Sequence, residues 1–161
     1  MFHRILVGVD DSPAAQAALA RAVELVEAGH GRLGLLSSAP GPPPLACAGP
    51  VVLPVSRHQL EDQLLEWACS NVEAAARFVP EEIPVTKMVC RCPPTRALLR
   101  EARTGNWDLI VVGQSRRRMR LTRRVGDWLN RRSPTPLLIV QDERQPLGRR
   151  RRRRRAQFRT A

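Results

Sequence analysis

Five short strand-like runs recur along this chain of 161 residues, and segments of helical period separate them. The runs are His3 to Val9, Leu33 to Leu36, Val85 to Cys92, Trp107 to Gly113 and Leu137 to Val140. The first and fourth are continuously apolar at their centres, which suits strands covered on both faces, and the fifth is a shorter apolar strand. After the first run, Leu19, Ala22, Val23 and Val26 stand at i, i+3, i+4 and i+7, an amphipathic helix ending near Gly29-His30-Gly31. From Ser56 to Val79 the positions Leu60, Leu64, Trp67, Ala68, Val72 and Ala75 keep the same period. A shorter helix carries Ala97, Leu98, Leu99 and Ala102. The second half of Arg116 to Arg132 is compatible with a fourth. Such alternation predicts an α/β fold, a doubly wound five-stranded parallel sheet of order 3-2-1-4-5 with helices on both faces, because each parallel return needs a crossover.

The punctuation agrees with this reading. Ser12 is placed to cap the first helix, with Pro13 at its first position, where a missing N–H costs nothing. Pro40, Gly41, Pro42, Pro43, Pro44, Gly49, Pro50 and Pro54 mark a loop between the second strand and the second helix. Charge divides the chain in two. Of 27 Lys+Arg, nine are arginines at or after Arg144, and no acid follows them. The expected organisation is therefore an α/β domain over 1–143, with 18 basic and 15 acidic groups, and a disordered Arg-rich tail over 144–161.

Several function classes fall away. No apolar run approaches the ~20 residues that span a bilayer, and two acids, Asp10 and Asp11, come before a signal peptide's apolar region could form. The four cysteines are irregularly spaced, which argues against a disulfide framework and for a reducing, cytoplasmic setting. Cys90 and Cys92 share one strand face and lack C-x-x-C spacing, so they are expected to be buried, reduced thiols and not metal ligands. His3, His30 and His58 fall in separate elements. Ser12, Ser37 and Ser115 sit in no nucleophile elbow, and no phosphate-loop lysine or H-E-x-x-H occurs. Neither a catalytic residue nor a metal ligand is expected.

In a sheet of this order strands one and four are neighbours, and ligands sit outside their carboxyl ends where the winding reverses. Gly8-Val9-Asp10-Asp11-Ser12 and Gly113-Gln114-Ser115 then face one crevice. Each strand end carries a glycine, where backbone is expected to come close to something. The first of these segments, read from Ile5, resembles the universal stress protein family. So do Asp108-Leu109-Ile110-Val111-Val112-Gly113 and Ser133-Pro134-Thr135-Pro136-Leu137-Leu138-Ile139-Val140, and the likeness spans residues 3–141.

The resemblance implies a regulatory or protective module without catalysis, ATP as cofactor, and Mg only alongside ATP. It implies an aspartate near adenine and ribose, here Asp10. It also implies a loop after strand four of the form Gly, two residues, Gly, nine residues, Gly, then Ser or Thr. Gly113 matches the first glycine and Gly126 the third, whereas Arg116 stands at the second and Asp127 where a hydroxyl is expected. The crevice so implied comprises Val9, Asp10, Ser38, Val112, Gly113, Arg116, Gly126 and Asp127. Arg116 gives up the conformational freedom of glycine. Asp127 sets a carboxylate beside an incoming phosphate, and unit charges ~4 Å apart repel by about 4 kcal/mol near a protein surface. Neighbouring arginines would offset that repulsion.

A nucleotide-free reading stands beside this one. Arg116 to Arg132 holds eight arginines and one acid, so the chain is alternatively a basic interaction protein for nucleic acid or another polyanion. Its contacts would be Arg117, Arg118, Arg120, Arg123 and Arg124, with Arg149, Arg150, Arg151, Arg152, Arg153, Arg154 and Arg155 in the tail. The last strand, Leu137, Leu138, Ile139 and Val140, is an apolar edge without lysine or proline. It is expected to pair with a second copy in a homodimer, as resembling proteins do.

Overall fold

The computed structural model describes residues 2–41, 57–114 and 128–141. Eight elements follow in order: β1 (Arg4–Gly8), α1 (Pro13–Gly29), β2 (Arg32–Ser38), α2 (Arg57–Ala76), β3 (Val85–Cys90), α3 (Pro94–Thr104), β4 (Leu109–Gln114) and β5 (Leu137–Gln141). The strands form one sheet in the order β3-β2-β1-β4-β5. Every pairing is parallel, with Val7 opposite Leu35 on one side and Val111 on the other. This is the fold the alternation of periods predicts. The expected tail over 144–161 lies outside the described residues.

Side-chain alternation splits the core between the two faces of the sheet. Ile5, Val7, Leu33, Leu35, Leu109 and Val111 pack with Ala18, Leu19, Ala22 and Val26 of α1 and with Val72 and Ala75 of α2. Leu6, Leu36 and Ile110 turn the other way, onto Ala97, Leu98 and Ala102 of α3 and onto Leu129 of a helical segment at 128–132. Ile5, Leu6, Val7, Ile110 and Val111 have no exposed surface, and each contributes about 1.5–3 kcal/mol by burial.

The helix ends follow local chemistry. Ser12 is extended at φ −80° and ψ 146°, and its Oγ accepts the Ala15 N–H at 3.1 Å. Pro13 opens α1. At the other end His30 takes the left-handed conformation, φ 50°, in preference to either flanking glycine. Its N–H reaches Glu27 O at 3.3 Å and that of Gly31 reaches Val26 O at 3.2 Å, satisfying two final carbonyls of α1.

Three expectations need correction. The third strand stops at Cys90, and Cys90 and Cys92 are joined by a disulfide with their Cα atoms 5.3 Å apart. Two residues of strand would span about 6.7 Å, so the bend at 91–92 lets the sulfurs meet, where a continuous strand was expected to hold two reduced thiols. Cys69 is the free cysteine among the described residues, and it is exposed. Trp67, expected on the apolar face of α2, is 40% exposed, because that face is made by Ala68, Asn71, Val72 and Ala75.

The fourth strand begins at Leu109 rather than Trp107, because Asp108 serves the amino end of the sheet. Its Oδ2 accepts the backbone N–H groups of His3 at 3.0 Å and Arg4 at 2.9 Å. Burial alone would raise the Asp108 carboxyl. The two N–H donors and the nearby Arg4 charge outweigh it and hold the group below its ordinary range.

Candidate functional site

At the carboxyl ends of β1 and β4 lies a cavity of about 380 Å³. Val9, Asp10, Ser38, Val112 and Gly113 all line it. They arrive from three neighbouring strands, since β1 is paired to β2 on one side and β4 on the other. The position is the reversal point of the winding, and the volume falls in the range of small-ligand sites. Arg116, Gly126 and Asp127 lie outside the described residues. So do Arg117, Arg118, Arg120, Arg123, Arg124 and the tail arginines Arg149 to Arg155.

Each wall has a local cause. The Val9 N–H bonds Leu36 O at 2.9 Å, carrying the ladder one step past β1. Asp10 then turns the chain, its Oδ1 accepting the Ser12 N–H at 2.9 Å. Its second oxygen has no partner among the described residues. The Ser38 hydroxyl donates to the Cys92 carbonyl, which ties the end of β2 to the bend after β3. The Ala39 N–H reaches Cys90 O at 2.8 Å beside it.

The glycines at the two strand ends differ in cause. A Cβ on Gly113 would collide with the backbone carbonyl of Ala14 and stand 2.6 Å from Ala15 N. What comes close at this glycine is therefore the first turn of α1, an approach internal to the fold. A Cβ on Gly8 would meet only Val112 Cγ1 at 3.5 Å and Leu98 at 3.8 Å. That is ordinary contact, so the expected close approach at Gly8 does not occur.

Two lining residues, Ser37 and Trp67, were not assigned to the crevice from the sequence, and a third, Gln114, entered only within the segment Gly113-Gln114-Ser115. Ser37 is 2% exposed and its hydroxyl has no partner among the described residues. Gln114 closes β4 and is buried against the cavity. Trp67 brings an indole from α2. Nothing in the sequence distinguishes Trp67 from the core positions of its helix except that it falls one residue before the buried Ala68. Among the described residues no basic side chain lines the cavity, and no group of three His, Cys, Asp or Glu is placed to hold a metal. A smaller cavity of about 180 Å³ shares Val9, Asp10 and Ala15 and extends between α1 and α2.

The model of the universal stress protein family matches residues 1–141. The chain belongs to that family. No curated protein matches it. Among solved structures, a universal stress protein family member from Burkholderia pseudomallei is 24% identical, with a TM-score of 0.67, over 86% of this chain and 96% of its own. A universal stress protein family protein from Arabidopsis thaliana with AMP bound is 14% identical, with a TM-score of 0.53, over 88% and 93% of the two chains. One from Archaeoglobus fulgidus in complex with dAMP is 17% identical, with a TM-score of 0.51, over 86% and 98%. At these identities the likeness speaks for the universal stress protein fold.

Proposed function

We propose that this universal stress protein is a non-catalytic regulatory or protective module that holds an adenine nucleotide in the crevice at the ends of β1 and β4. The observation that carries the reading is the convergence of Val9, Asp10, Ser38, Val112 and Gly113 on one cavity of about 380 Å³. The AMP and dAMP bound by family members of the same fold support it. The second oxygen of Asp10 would accept from a ribose hydroxyl or an exocyclic amine. Ser38, whose proton is committed to Cys92 O, would act as an acceptor. Phosphate contacts would fall to Arg116 and its neighbours, since no basic group lines the described part of the cavity.

Calorimetric titration with AMP, and with ATP plus Mg²⁺, tests this. Asp10→Ala is expected to weaken binding by about 1.5–3 kcal/mol, the worth of a hydrogen bond to a charged group. A protein that binds neither nucleotide, or an Asp10→Ala variant that binds as tightly as the parent, would overturn the reading. ATP as the physiological ligand is the finer part of the proposal, and the relative affinities decide it. Cytoplasmic residence also goes with it. The Cys90–Cys92 bridge weighs against a reducing compartment, and cell fractionation would decide.

Two partner proposals accompany this one. The sheet has unequal edges. On β3, Lys87 is exposed and pairs with Glu73 at 2.6 Å, a charged guard against further pairing. On β5, Ile139 is 36% exposed and no charge interrupts Leu137, Leu138, Ile139 and Val140. We propose a homodimer through this edge, which a monomeric mass by light scattering at tens of micromolar, unchanged by Ile139→Lys, would refute. Polyanion binding through Arg116–Arg132 and the tail rests on charge alone. Its signature would be an affinity for nucleic acid that falls steeply with salt and weakens, with a shallower salt dependence, when 144–161 are removed.

A further inference from the structure

The chain has three tryptophans, and two of them are accounted for by the fold. The Trp107 ring fills the space over Gly34 and Gly105, where a Cβ at either position would strike it. Trp128 carries the Arg132 guanidinium 4.8 Å from its ring centroid. Trp67 is different. It is 40% exposed, its indole has no ring or ion contact among the described residues, and it lines the larger cavity. A scattered apolar surface residue needs no explanation. An indole in the wall of a ligand cavity offers an aromatic surface against which a flat group can stack.

Its place on α2 fixes that role. Ala68, Asn71, Val72 and Ala75 are the helix's buried face. Trp67 stands one turn before Asn71, on the flank of that face and not opposite it. Because the described lining holds no basic group, this part of the cavity suits an uncharged, flat moiety better than a phosphate. From these observations, and resting on the nucleotide reading above, we infer that Trp67 is the stacking platform for the base of the bound nucleotide. Sequence tolerance follows, because every base has a π-face; Asp10 and Ser38 are left to choose among bases.

Three proteins and two readouts test this: the full chain, Trp67→Phe and Trp67→Ala, each titrated with AMP by calorimetry and by tryptophan emission, with circular dichroism confirming the fold. In the parent, AMP quenches emission. In Trp67→Phe affinity is retained and the quench is lost, since Trp107 and Trp128 lie outside the described lining. In Trp67→Ala affinity falls about tenfold, within the range of one base–aromatic stack. A Trp67→Ala variant that binds AMP like the parent, or a quench that persists in Trp67→Phe, overturns the stack while the crevice reading stands. A parent that binds no AMP overturns the crevice reading first.

Discussion

The two ends of the sheet are built from similar residues and finish differently. At the amino end the backbone groups are paired within the chain, although the buried Trp107 Nε1 has no partner among the described residues. Asp108 takes the His3 and Arg4 N–H groups, Arg32 N–H reaches His3 O at 2.8 Å and Asp108 N–H reaches Arg4 O at 2.8 Å. The Trp107 indole occupies the room that Gly34 leaves. At the carboxyl end one oxygen of Asp10 and the hydroxyl of Ser37 lack partners among the described residues, and an indole stands exposed beside a cavity of about 380 Å³. An unpaired buried polar group costs about 1–3 kcal/mol. The amino end pairs its backbone groups within the fold, whereas the carboxyl end holds the polar atoms that the proposed ligand would meet.

Substitutions at the two ends sharpen this contrast. The largest effect is expected at Gly113, where stability and site coincide. Gly113→Ala drives a Cβ into the Ala14 backbone, which cannot swing aside as a side chain can, and should cost about 3 kcal/mol in urea denaturation. Gly8→Ala, with only ordinary contacts, should stay within about 0.5 kcal/mol of the parent. Equal losses at the two glycines would remove the distinction drawn between them.

Next comes the amino-end clamp. Asp108→Ala removes two hydrogen bonds to a charged acceptor, one exposed and one part-buried, and should cost about 1.5 kcal/mol at neutral pH. Its pH dependence has a definite sign. The folded-state pKa lies below the unfolded one, so the contribution is complete above the ordinary aspartate range. It is lost as pH falls through the depressed folded value. Thermal melts from pH 7 to pH 2 should show this acid-labile part in the parent and not in Asp108→Ala. The accompanying ion pair matters less. Arg4 stands 3.6 Å from Asp108, with the side chains 38% and 32% exposed, so Arg4→Ala should cost at most about 0.5 kcal/mol.

The smallest expected effect on stability belongs to the carboxyl end. Asp10→Ala removes one exposed turn bond and should change the melting temperature little while weakening nucleotide binding. A loss of stability as large as that of Asp108→Ala would mean that Asp10 is a structural clamp too.

The sheet order was legible because Ile5–Val7 and Leu109–Val112 announce strands buried on both faces, because Leu137–Val140 adds a short apolar strand, which lies at the partly exposed edge, and because Ser12-Pro13 marks a helix start. The crevice was legible for the same reason: topology alone brings the ends of β1 and β4 together. Other features were not. Periodicity placed Trp67 with the core of α2, because a helical period identifies a face but not how far the sheet extends beneath its flank. Spacing placed Cys90 and Cys92 on one strand, because where a strand stops depends on its neighbour; β2 ends at Ser38, opposite Cys90. Gly113 suggested a close approach, but its partner, the backbone at Ala14, emerges only once α1 is packed against β4.

The most direct test is to follow backbone amide shifts of isotope-labelled protein as AMP is added. Movement is expected at Val9, Asp10, Ser38, Val112, Gly113 and Gln114, with Arg4, Arg32 and Asp108 unmoved. Shifts confined to the amino end or to the arginine tail, or none at saturating AMP, would contradict a carboxyl-end nucleotide site.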